Sequence, residues 1–180
     1  MHSPYAYRFV KDVLRPGEYG YYAYQEIIRY LKDKEHHDYR FISLVKFTIR
    51  LVLFLGAKRI VSSSDHSRIA EVVSKSLSLP WVKRSRSKDF KFRDYDLFIC
   101  DETSSSGRVP NQRTEMMQTA VENGIPVFVI NPDSKERDFL DKPIERGLLL
   151  KGKKRIILIP REEMAYVAYD INLSLNPFSH

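Results

Sequence analysis

Tyr95-Asp96-Leu97-Phe98-Ile99-Cys100-Asp101 is the clearest strand in the chain. Its run from Leu97 to Cys100 is apolar without interruption, which suits a parallel strand covered on both faces. Working outward, the same texture returns at Pro126-Val127-Phe128-Val129-Ile130 and, more briefly, at Arg59-Ile60-Val61-Ser62. Pro80-Trp81-Val82 reads as a further short strand. Between these runs the period changes to that of a helix. Ile69, Val72, Val73 and Leu77 share one helical face, and a second helix spans Asn111 to Glu122 and ends at Gly124. Alternating strands and helices imply right-handed crossovers and a parallel sheet.

After the second strong strand, Asn131-Pro132-Asp133-Ser134 breaks the run and caps another helix, expected to end by Gly147. Leu148-Leu149-Leu150, the turn Lys151-Gly152-Lys153, and Arg155 to Ile159 read as a hairpin. Val167, Tyr169, Ile171, Leu173 and Leu175 then alternate with polar or small residues, as in a strand with one buried face. An antiparallel edge at this end of the sheet is expected.

Before the first strand the chain reads as helical. Ser3-Pro4 supplies an N-cap and a proline at the first helical position. Tyr5, Phe9 and Val13, with Val10 and Leu14, fall on one stripe, and Arg15-Pro16-Gly17 stops it. A second helix is expected over 21–34. A third begins near Asp38, buries Phe41, Leu44, Val45, Thr48, Leu51, Val52 and Leu55, and is closed by Gly56.

The expected architecture is α/β: a Rossmann-like, mostly parallel sheet with antiparallel C-terminal edge strands and an N-terminal helical segment. At 180 residues it fits one domain, with 1–56 as the helical segment and 57–180 as the sheet region. One cysteine, Cys100, excludes an internal disulfide and a cysteine-based zinc site, and fits a reducing cytoplasm. The start is aromatic and charged, with Arg8 and Lys11 where a secretory signal would be apolar. Lys46 and Arg50 interrupt the apolar stretch Phe41 to Leu55, which is also too short for a bilayer span of about 20 residues, so no membrane association is expected. The net charge of +7 permits a polyanionic partner but identifies no site.

The opening His2-Ser3-Pro4-Tyr5, the segment Tyr21-Tyr22-Ala23-Tyr24, and the helix leading into Lys58-Arg59-Ile60-Val61 carry a family likeness. They resemble a bacterial group of small S-adenosylmethionine-dependent methyltransferases, similar to the class I O-methyltransferases. In that comparison Tyr95 to Asp101 is similar to the fourth strand, which ends in an acidic residue near cofactor or substrate. The late hairpin and final strand sit where that fold places its antiparallel strands. The resemblance implies a cofactor seat at Ser62, Ser64, Asp65, Ser67 and Asp101. It also makes self-association into a homodimer a reasonable expectation.

The chain departs from that family in three places. The first strand of such enzymes ends in an acid followed by a glycine-rich turn, because the backbone must approach the cofactor closely. Here Ser62 stands in place of the acid, and Ser63 to Ser67 contain no glycine. The acid that should end the second strand is replaced by Lys83-Arg84. The stretch from Leu79 to Asp94 has room for a strand and a loop only, so the sheet is expected to be shortened by one βα unit. The resulting expectation is a non-catalytic, methyltransferase-like domain that acts by binding, without a cofactor. One rival is an active S-adenosylmethionine-dependent methyltransferase with an atypical cofactor loop. The other is a nucleic-acid or anion-binding module.

Each candidate site also has a plain structural explanation. Ser62 to Ser67 lie where free N–H groups and a helix dipole favour anions, yet serine and aspartate are ordinary N-cap residues. Cys100 with His66 can form a nucleophile–base pair, yet a cysteine in such a strand is usually packed core. Lys83, Arg84, Arg86 and Lys88, followed by Phe90 and Phe92, interleave cations and rings as single-stranded nucleic-acid binders do. The same segment is also what a charged surface loop looks like. No metal site is expected: His36-His37 has no third ligand at metal spacing.

Overall fold

The computed structural model describes residues 4–14, 39–63, 67–82, 91–101, 110–140 and 145–170. The expected second helix over 21–34 lies outside them. So do the segment 83–90 and residues 64–66.

Among the described residues seven strands form one sheet: β1 (Ile60–Ser62), β2 (Trp81–Val82), β3 (Leu97–Cys100), β4 (Val127–Ile130), β5 (Arg146–Lys151), β6 (Arg155–Ala165) and β7 (Val167–Asp170). Their spatial order is β2-β1-β3-β4-β6-β5-β7. The pairs β1–β2, β1–β3 and β3–β4 are parallel, whereas β6 runs antiparallel to both β4 and β5. β7 lies parallel to β5. Only β6 therefore opposes the common direction. This corrects the expected antiparallel edge: the hairpin's second strand inserts beside β4, and the outermost strand rejoins the parallel set.

The alternation of side chains assigns each strand residue to one of two helical layers. Ile60, Leu97, Ile99, Phe128, Leu148 and Ile157 face a core shared with Phe9, Val45, Ile69 and Val73. Val61, Phe98, Cys100, Val129, Leu149 and Leu158 face a second core with Met117, Ala120 and Leu140. The continuous apolar runs are explained by this, since both faces are covered.

The first layer holds α1 (Pro4–Phe9), a π-helical turn (Val10–Leu14), α2 (Tyr39–Leu55) and α3 (Arg68–Leu77). Helix α2 is buried on more than the expected stripe, because Phe47 and Ile49 are also covered. The Phe47 ring packs against Phe128 of β4, with centroids 5.5 Å apart. Arg50, which breaks the apolar run of this helix, sends its Nε to the carbonyl oxygen of Val13 at 2.9 Å. It thus satisfies one of the orphan carbonyls at the end of the first helical segment. Val10 is exposed, not part of the buried stripe.

The second layer holds α4 (Pro110–Glu122) and α5 (Ser134–Leu140). Helix α5 is described to Leu140, residues 141–144 lie outside the described set, and by Gly147 the chain is in a strand, as expected. That glycine lies in β5, beside a break in register against β6, and has φ 139°. Glycine adopts this conformation at no steric cost, which suits it to the irregularity.

Candidate functional site

The carboxyl ends of β1 and β3 lie side by side, since Ser62 pairs with Ile99. The chain leaves β1 at Ser63, and Ser67 is the N-cap of α3. Within the stretch Ser62 to Ser67, where capping was one of the two readings, the capping hydroxyl is that of Ser67. The Ser67 hydroxyl accepts from the Ala70 N–H at 3.3 Å and donates to Asp101 Oδ2 at 3.2 Å.

Ser63 closes the same corner. Its hydroxyl accepts from the Asp101 N–H at 3.1 Å and donates to the Asp101 carbonyl oxygen at 3.4 Å. Its own N–H reaches the Ile99 carbonyl at 2.9 Å. Ser62, Ser63, Ser67 and Asp101 are all buried, with Asp101 only 4% exposed. The Asp101 carboxylate is therefore seated at the amino end of α3, where the dipole and free N–H groups favour negative charge.

Sequence reasoning grouped five residues as one seat. Among the described residues the structure brings Ser62, Ser67 and Asp101 together, and Ser64 and Asp65 lie outside that set. Lys83, Arg84, Arg86 and Lys88 also lie outside it.

Beneath this corner is a polar cluster that the sequence reading did not single out. The Cys100 thiol receives Nε and Nη2 of Arg113 at 3.3 and 3.2 Å. Arg113 Nε is also 2.9 Å from Glu136 Oε1, in a pair whose carboxylate is wholly buried. Glu136 is tied further by a reciprocal cap. Its Oε2 accepts from the Asp133 N–H at 3.0 Å, and its own N–H donates to Asp133 Oδ1 at 2.8 Å. The spacing Asp133-x-x-Glu136 is a capping box, visible in the sequence. The burial of its glutamate depends on β3 and α4 and is not visible there.

Burial pushes the Cys100 thiol up to about 11, against the lowering effect of Arg113. A nucleophilic cysteine needs the opposite shift. Cys100 is wholly buried, as the packed-core alternative has it, and His66 lies outside the described residues. Among the described residues, no three His, Cys, Asp or Glu side chains are grouped to hold a metal ion. No helix among them is long and apolar enough to cross a membrane.

The arrangement defines an α/β protein whose strand ends at β1 and β3 are joined by their own side chains. Comparison of the chain with protein-family models and with curated proteins returns no match.

Proposed function

We propose that this chain is a Rossmann-like, methyltransferase-like domain that acts by binding and not by methyl transfer. The carrying observation is the position of Asp101. In the family that the sequence resembles, this acid faces cofactor or substrate. Here its carboxylate is buried and bonded to Ser67 at 3.2 Å, at the amino end of α3. The seat where a helix terminus would receive an anionic ligand is taken by the protein's own charge.

Two further observations support the reading. In open α/β sheets, ligands bind beyond the carboxyl ends of the strands, and the β1–β3 corner of that edge is laced by Ser63. Among the described residues the sheet also has a single two-residue strand, β2, outside β1. That is in keeping with loss of one βα unit from this side.

Isothermal titration of the full chain with S-adenosylmethionine and with its demethylated product tests the proposal. Neither compound is expected to bind at micromolar concentration. Saturable binding of either one, lost in Ser67→Tyr, would instead establish an active-type cofactor seat built on an atypical loop.

A further inference from the structure

The opposite edge of the sheet carries a cleft that the family resemblance does not account for. It has a volume of about 490 Å³, within the range of small-molecule sites. It opens at the amino ends of the parallel strands. Asp96 precedes β3, Pro126 precedes β4, and Pro160 lies in β6 just past its last pairing with β4. Neither proline has an N–H to leave unsatisfied there. With half-buried Leu55 they make the smaller, apolar part of a mostly polar lining, its floor.

Two arginines line the cleft beside that floor, Arg93 and Arg161. Both are exposed, and among the described residues neither is ion-paired. Each is held in place by a neutral partner. Arg93 Nε donates to Asn123 Oδ1 at 3.3 Å, which leaves both of its terminal NH2 groups to other acceptors. The Arg161 guanidinium lies 4.3 Å from the centre of the Tyr5 ring, a contact that fixes the group without neutralising it.

One carboxylate shares the cleft, and its charge is already engaged. Asp96 Oδ2 accepts from the backbone N–H groups of Lys58 and Arg59 at 2.8 and 2.9 Å. Those residues also bring two exposed cations to the strand leading into β1. The local balance is positive, with forked donors beside an apolar surface.

We infer that this cleft is a binding site for a small organic anion, a carboxylate or phosphate monoester on a flat apolar body. The guanidinium forks match the planar spacing of carboxylate or phosphate oxygens. The prolines and Leu55 take the apolar body. This inference does not rest on the proposed loss of methyl transfer, because the two sites lie on opposite edges of the sheet.

Amide chemical-shift titration of the full chain with benzoate, phenyl phosphate and inorganic phosphate tests it. At least one of the aryl anions is expected to shift the amides of Asp96, Asn123, Gly124 and Ile125 saturably. Which of benzoate and phenyl phosphate binds more tightly identifies the anionic group. Arg93→Ala and Arg161→Ala are each expected to weaken that binding at least about fivefold, as loss of a charge-assisted bond does. Lys153→Ala, on the opposite edge, is expected to leave it unchanged. The inference is overturned if neither aryl anion shifts these amides at millimolar concentration. It is equally overturned if both arginine variants bind as the parent does, or if inorganic phosphate binds as well as phenyl phosphate. Failure here leaves the S-adenosylmethionine titration untouched, and the reverse also holds.

Discussion

At the residue scale, a buried carboxylate, Glu136, and a buried thiol, Cys100, near the carboxyl edge govern what the protein tolerates. Arg113 is the cation that neutralises Glu136 while donating to Cys100. Removing one partner of a buried pair leaves an uncompensated charge, which costs about 3–5 kcal/mol. Arg113→Ala is therefore expected to lower stability by about 3 kcal/mol in urea denaturation. A change below about 1 kcal/mol would show that water reaches Glu136. Cys100 supplies a pH dependence. Its thiol is raised by burial from 9.0 to about 11, so the folded protein holds this proton more tightly than the unfolded chain. That contribution is fully present below 9.0 and is lost as pH rises toward about 11. Melting temperature should accordingly fall more steeply across that window in the parent than in Cys100→Ala. Parallel curves for the two proteins would refute the shift. Arg113, although its charge complements Glu136, gave no sequence signal, because the pair joins residues on two helices across the end of a third element.

At the element scale, helix ends and bulges show which local rules held. Gly56 and Gly124 terminate α2 and α4 with φ of 66° and 71°, as their placement after apolar-periodic runs implies. Helix α3 ends differently. Its C-cap is Ser78, with φ 52° and ψ 37°, and the cap N–H reaches back to Lys75 and Ser74 carbonyls. A side chain in this left-handed region carries a steric cost that glycine avoids. Ser78→Gly is expected to stabilise the protein by about 0.5–1 kcal/mol, read as a shift in denaturation midpoint. A destabilised variant would mean that the Ser78 side chain makes a compensating contact. The strands from β1 to β4 were legible because each is a continuous apolar run between turn residues. The bulge at Gly147 was not legible, because a glycine that follows a helix and a glycine that permits a bulge look the same in sequence. They differ only in what lies across from them, here Pro160 of β6.

At the scale of the whole molecule, the charge of +7 is the property that no single site accounts for. Lys153 and Lys154 are exposed in the β5–β6 turn, at the same end of the sheet as the carboxyl terminus of β2, after which the sequence continues with Lys83-Arg84. A polyanion such as single-stranded RNA is thus the second candidate partner. If it is one, retention of the RNA should fall steeply with salt, because counterions are released for each phosphate neutralised. The double variant Arg84→Ala/Arg86→Ala should reduce both affinity and salt slope. No retention at low salt would remove this partner from consideration.

The residues themselves determined the class of the fold. Apolar runs of strand length, separated by helical periodicity, can be covered on both faces only in an α/β arrangement. They also placed Asp101 at a strand end and capping chemistry between β1 and α3, because those signals are local. What the tertiary structure decided is everything that depends on neighbours distant in sequence. Insertion of β6 between β4 and β5 is a matter of pairing. The seating of the Asp101 carboxylate against Ser67, across 34 positions of chain, is a matter of register between β1 and β3. The burial of Glu136 and the cleft lined by Arg93 and Arg161 arise in the same way. A side chain's charge is written in its identity, but whether that charge meets solvent, a partner or an open cleft is set by the elements packed around it.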